Sequence, residues 1–166
     1  MRKLRIIAVV FAALGLSLFG AAPAAAEPPT TDILIFDDLT IEDFTCGFLI
    51  VEVFDGTVRI TTFVDDEGNP TRIQIAALFQ GTLTNPETGE STKGQQELII
   101  FLDVEQPAQE TWAGLRFRAV FPGAGAVLLD AGRLVFDVET GEVFFEAGPH
   151  QVFHEDFEAY CAEFSS

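Results

Sequence analysis

The sequence predicts an all-β fold, a single antiparallel β-barrel of about eight strands with a short C-terminal helix, and three observations carry that expectation. Between Leu115 and His150 the chain reads LRFRAVFPGAGAVLLDAGRLVFDVETGEVFFEAGPH, three alternating apolar runs separated by PGAG and ETGE, as in consecutive antiparallel strands. The same rhythm fills the chain from Gly47 onward, at the short spacing of a sandwich or barrel. Only the end departs from it: in EDFEAYCAEF, Glu155 to Phe164, the residues Phe157, Tyr160, Cys161 and Phe164 recur at the spacing of an amphipathic helix.

Taken in order, the chain opens with a basic start (Arg2, Lys3, Arg5), an apolar stretch from Ile6 to Gly20 too short for a comfortable membrane span, and Ala24-Ala25-Ala26. Residues 1–26 therefore read as a secretory signal peptide. No apolar run continues past Gly20 and no cysteine stands at the cut for lipidation, so the expectation is a secreted, extracellular protein with no membrane attachment after cleavage. Three of the nine basic residues lie in that leader, so the remainder carries six Lys and Arg against 26 Asp and Glu, a formal charge of −20. Such a surface repels nucleic acid and anionic lipid; solubility is its simplest use. The length suits one domain, expected as a monomer or weak dimer.

Residues 27–43 read as an extended leader, with EPPTT followed by an acidic stretch, and residues 44–166 as the barrel domain with its helix. Phe48 to Phe54 and Thr57 to Asp65 flank Asp55-Gly56, the strongest two-residue hairpin signal in the chain. In the return strand Val58, Ile60, Thr62 and Val64 share one face. Asp66 to Pro70 is a turn without the ligand spacing of a calcium loop. Thr71 to Thr84 is a long alternating strand in which Gly81 marks a bend, and Asn85 to Glu90 turns the chain into Ser91 to Val104, a strand interrupted near Gly94. Thr111 to Phe121, Ala126 to Val138 and Glu142 to Ala147 complete the series. Cys46 and Cys161, the only two cysteines, read as a disulfide in an exported protein and tie the helix back to the start of the domain.

Few residues announce chemistry. His150 and His154 are four apart beside Glu155 and Asp156, but Pro149 and the missing third ligand argue against a metal site, and none is expected. Arg59, Arg72, Arg116, Arg118 and Arg133 all sit in expected strands, opposite the aliphatic positions. The plain account is an outer face laced with ion pairs; the sharper one places Arg59, Arg116 or Arg118 in a barrel mouth, where a guanidinium would orient a ligand carboxylate or phosphate. Two of the seventeen phenylalanines lie in residues 1–26; the other fifteen fill a core or line a hydrophobic site. There is no nucleophile elbow, phosphate loop or dinucleotide fingerprint, and no cofactor is implied.

The stretches TNPETGE, GLRFR, PGAGAVLLDAGRLVFD and FEAGPH resemble small secreted proteins of high-GC Gram-positive actinobacteria, over about Phe44 to Cys161. That group carries no established activity to transfer. The strand succession is also similar to the eight-stranded barrel of allene oxide cyclase-like proteins and the calycins; no residue matches the catalytic positions of the plant cyclases, so this resemblance implies architecture only. The leading expectation is a non-enzymatic binder of a small apolar or amphiphilic ligand. An isomerase or cyclase on the same barrel would instead show a perturbed carboxylate or arginine in its cavity, and an extracellular protein-interaction domain would show an exposed apolar patch.

Overall fold

The computed structural model describes residues 27–165; the expected signal peptide, residues 1–26, lies outside the described residues. Seven strands follow one another as an antiparallel meander in a single sheet: β1 (Thr30–Asp43), β2 (Ile50–Val64), β3 (Pro70–Thr84), β4 (Ser91–Asp103), β5 (Gln109–Phe121), β6 (Gly125–Asp137) and β7 (Val143–Ala147). One helix, α1 (Glu158–Phe164), ends the chain. The all-β, antiparallel expectation with a short C-terminal helix holds, but the ladder does not close: β1 and β7 are its two edges. β7 is five residues long, and after Gly148 comes Pro149, which has no N–H to give a ladder. The register with β6 nevertheless resumes beyond it, through the Ala131 N–H donating to the Pro149 carbonyl and an isolated bridge between His150 and Asp130.

The stretch expected as a leader supplies β1, which pairs with β2 from Thr30↔Thr62 to Asp43↔Ile50. The Asp55-Gly56 turn does not form, and β2 runs straight through it, pairing Asp55↔Gln80 and Gly56↔Phe79. Both residues serve packing instead. A side chain at Gly56 would collide with the Phe79 ring, while the Asp55 carboxylate accepts the Asp38 N–H at 2.9 Å, where β1 is bulged. β4 likewise continues through Gly94 without interruption.

The alternation assigns faces well elsewhere. Val58, Ile60 and Thr62 stand opposite Ala77, Ile75 and Ile73 on one face, and Arg59 points to the other. The sheet curls about the first face, since Ile41 of β1 and Leu128 of β6 line one cavity. At one end of the trough Ile50, Phe54, Leu83, Ala119, Phe121 and Leu128 pack with Tyr160 and Phe164 of α1 as a common core. Complete burial of one such side chain is worth about 1.5–3 kcal/mol, which is what holds so short a helix.

Two covalent and polar ties fix α1. Cys46, just after β1, is bonded to Cys161, as expected. Asn85, inside the turn TNPETGE, donates from Nδ2 to the Phe164 carbonyl at 2.9 Å, and Thr88 Oγ1 donates to the same oxygen at 3.1 Å. The turn thus caps the last carbonyl of the helix, that of Phe164, as well as joining two strands.

Candidate functional site

A β-bulge at Arg116 builds the site. Along β5, Gln95 pairs with Arg118 and Glu97 with Leu115, while on the other side Leu115 pairs with Ala131 and Phe117 with Asp130. β5 therefore carries one residue more than either neighbour at this point, and simple alternation fails. Gly114 makes the irregularity possible: its φ is +109°, and a side chain there would meet the Glu97 carbonyl. As a result Arg116 and Phe117 line the same cavity, although adjacent strand residues ordinarily face opposite sides.

The structure separates the three arginines expected as ligand-binding. Arg59 and Arg118 are exposed on the outer face, where Arg118 donates to Gln95 Oε1 at 2.9 Å. Arg116 alone turns inward. Its guanidinium stacks over the Trp112 ring, 4.3 Å from the centroid, and its Nη1 lies 3.6 Å from Asp130 Oδ2 without a hydrogen-bond partner. Burial lowers the pKa of the guanidinium and Asp130 opposes that shift, leaving a charged but poorly hydrated cation.

Asp130 is 1% exposed and fully engaged. Its Oδ1 accepts from His150 Nδ1 at 3.1 Å and its Oδ2 from the Phe153 N–H at 3.1 Å. Gln151 adds a further tie by accepting the Leu129 N–H. This cluster staples the returning segment onto β6. The two histidines consequently diverge, because His154 contacts Glu146 at 2.7 Å through Nε2.

The cavity itself occupies about 340 Å³ between the end of β1, the centre of the sheet and the C-terminal segment. Ile41, Phe117, Leu128, Val152 and Phe157 form its apolar wall. A narrower cleft of about 190 Å³ shares Ile41, Glu52, Gln96 and Phe117 with it and continues inward to Leu39, Phe54 and Phe79. Glu42, Asp43 and Thr45 line its rim near the end of β1, and three more polar side chains besides Arg116 border it: Glu52, Gln96 and Tyr160. Among the described residues none of the three makes a side-chain hydrogen bond or ion pair. Burial, reinforced by the nearby Asp43 carboxylate, pushes the Glu52 carboxyl up to about 7. Burial and the same two carboxylates push the Tyr160 phenol upward, so it stays neutral.

Glu52, Gln96 and Tyr160 were not among the expected site residues. Glu52 had a readable signal, since it shares strand parity with Ile50 and Phe54 and so sets a carboxylate on an apolar face. Gln96 had the same signal, sharing strand parity with Thr92 and Leu98, whereas the inward turn of Arg116 follows from the bulge, which leaves no mark on a two-residue period. No protein family matches this chain, and no curated protein or solved structure is similar to it. Among the described residues no helix is long and apolar enough to cross a membrane.

Proposed function

We propose that this is a secreted protein whose curled sheet works as a barrel-like container for a small amphiphilic molecule, without catalysing its conversion. One observation carries the reading: Glu52, Gln96, Tyr160 and Arg116 converge on a single cavity with an apolar floor, where Arg116 Nη1 is buried without a partner and, among the described residues, the other three side chains have no hydrogen-bond partner. Buried polar groups are ordinarily paired, and a pocket with an apolar wall and a few convergent polar groups is the usual form of a small-molecule site. The disulfide between Cys46 and Cys161 fits an oxidising, extracellular location. Native mass spectrometry of the protein secreted from a high-GC Gram-positive host, compared with its denatured and solvent-extracted mass, tests this. A discrete extra mass lost on extraction is expected, and identical masses count against it.

A second reading has its own support. A carboxyl poised near neutrality in an apolar cavity is suited to take and return a proton, as an isomerase requires. On this reading Glu52 is the acid–base group and Arg116 offsets negative charge on a transiently held substrate. Identical masses would favour it over storage of a ligand.

A further inference from the structure

The polar groups of the cavity are not evenly charged, and the imbalance indicates which head group belongs there. Arg116, the one cation that lines it, faces Asp130 and stacks on Trp112. On the opposite side Glu52 from β2 stands with Glu42 and Asp43 from the end of β1, and the only neighbour from α1 is the Tyr160 phenol. The influences on Glu52 are burial and Asp43, both unfavourable to its charge; Arg116 does not relieve it. Asp43 is held in place, accepting from the Thr45 N–H at 2.9 Å and from Thr45 Oγ1 at 2.7 Å. Tyr160 is 2% exposed, lines the cavity and has no hydrogen-bond partner for its hydroxyl among the described residues. Phe157, also in the wall, lies against Tyr160 with ring centroids 6.5 Å apart. Two carboxyl groups without an ion-pair partner, Asp43 held in place and Glu52 beside it, together with two aromatic rings and a cavity-facing hydroxyl that has no protein partner, are the chemistry that receives an ammonium group.

Resting on the ligand-binding reading above, we infer that the occupant is a hydrophobic amine. Its ammonium group sits between Glu52 and Asp43 under the Phe157 and Tyr160 rings, and its apolar body runs past Phe117 toward Phe54 and Phe79. An anionic head at Arg116 would instead meet three carboxylates across the same small space. A cationic head supplies the missing charge, and its alkyl body fills the cleft behind Glu52.

Isothermal titration calorimetry with three probes of one chain length, dodecylamine, dodecanol and dodecanoic acid, each below its micellar concentration, tests the inference. Dodecylamine should bind tightest of the three. An alkylammonium stays protonated throughout, so its affinity should rise about tenfold between about pH 6 and about pH 8 as Glu52 ionises. Glu52→Gln should weaken the amine and remove this pH dependence, and Asp43→Asn, which keeps an acceptor for Thr45, should weaken it by a smaller factor. Both variants are checked for folding by circular dichroism. Tighter binding of dodecanoic acid, or amine binding that ignores pH and Glu52→Gln alike, would overturn the head-group assignment while leaving the cavity a binding site. Equal binding of dodecanol would do the same. Failure of all three probes would remove the ligand-binding reading itself.

Discussion

Two carboxylates point into the curled sheet, Asp130 of β6 and Glu52 of β2, and they live under opposite rules. Asp130 has His150, the Phe153 N–H and Arg116 around it, so every approach to its oxygens is taken. Glu52 has an apolar wall, a second carboxylate and open cavity. The same chemical group is therefore structural in one place and available in the other, and the deciding variable is the number of partners, not the depth of burial. A carboxylate accepts only, so the Asp130 contact requires His150 to donate from Nδ1.

The most damaging way to break this comparison is to disturb the satisfied partner. Asp130→Asn keeps one acceptor oxygen but sets an amide NH2 against either the His150 or the Phe153 N–H, and it removes the carboxylate charge beside Arg116. Breaking one member of a buried, hydrogen-bonded charge cluster costs about 3–5 kcal/mol. Urea denaturation should show a loss of that order, and protection of the 150–157 backbone amides against hydrogen exchange should fall with it. A change below about 1 kcal/mol would mean that the staple is incidental.

The unsatisfied partner yields a smaller effect of opposite sense. The Glu52 carboxyl goes from its ordinary 4.5 to about 7 in the fold, so between those values the folded state holds a proton that the unfolded chain has released. Stability then falls as pH rises through that window and is level above it. Discounted for the water that still reaches this side chain, the loss amounts to about 1–2 kcal/mol. Glu52→Gln should abolish the slope and be the more stable protein at about pH 8. The exposed turn carboxylates Asp65 and Asp137 are lowered by backbone N–H donors, so their contributions fade only toward more acid pH and do not overlap the window. Denaturation midpoints across the window check this, and parallel slopes in the two proteins would contradict it.

Sequence patterning reaches the two regions unequally. Strand faces are legible because a two-residue period is a local property, and the amphipathic spacing of Phe157, Tyr160, Cys161 and Phe164 correctly set α1 on the sheet. Asp55-Gly56 misled because the same dipeptide serves a tight turn or a close packing contact, and only the distant Phe79 ring distinguishes them. β1 was obscured by its edge position and its bulge at Asp37-Asp38, which leave Ile33 and Ile35 exposed amid acidic neighbours. The barrel expected from strand count remained open because β1 and β7 do not pair, and β7 is only five residues long. Arg116 is invisible because an inserted residue there reverses the alternation without changing composition, and GLRFR looks the same with or without it.

That last point sets the gentlest test, which concerns the two faces of one strand. Uniform alternation would make Arg116 and Arg118 equivalent, whereas the bulge sends only Arg116 inward. Arg118 is exposed and its one polar contact is Gln95, so Arg118→Ala should change stability by no more than about 0.5 kcal/mol. It should also leave any copurifying mass and the titration with dodecylamine unchanged. Arg116→Ala, by contrast, strips a cation from the Trp112 ring and from buried Asp130, and reshapes the cavity wall. Equal behaviour of the two variants would mean that the bulge does not exist in solution, and with it would go the convergence of Arg116 and Phe117 on one cavity.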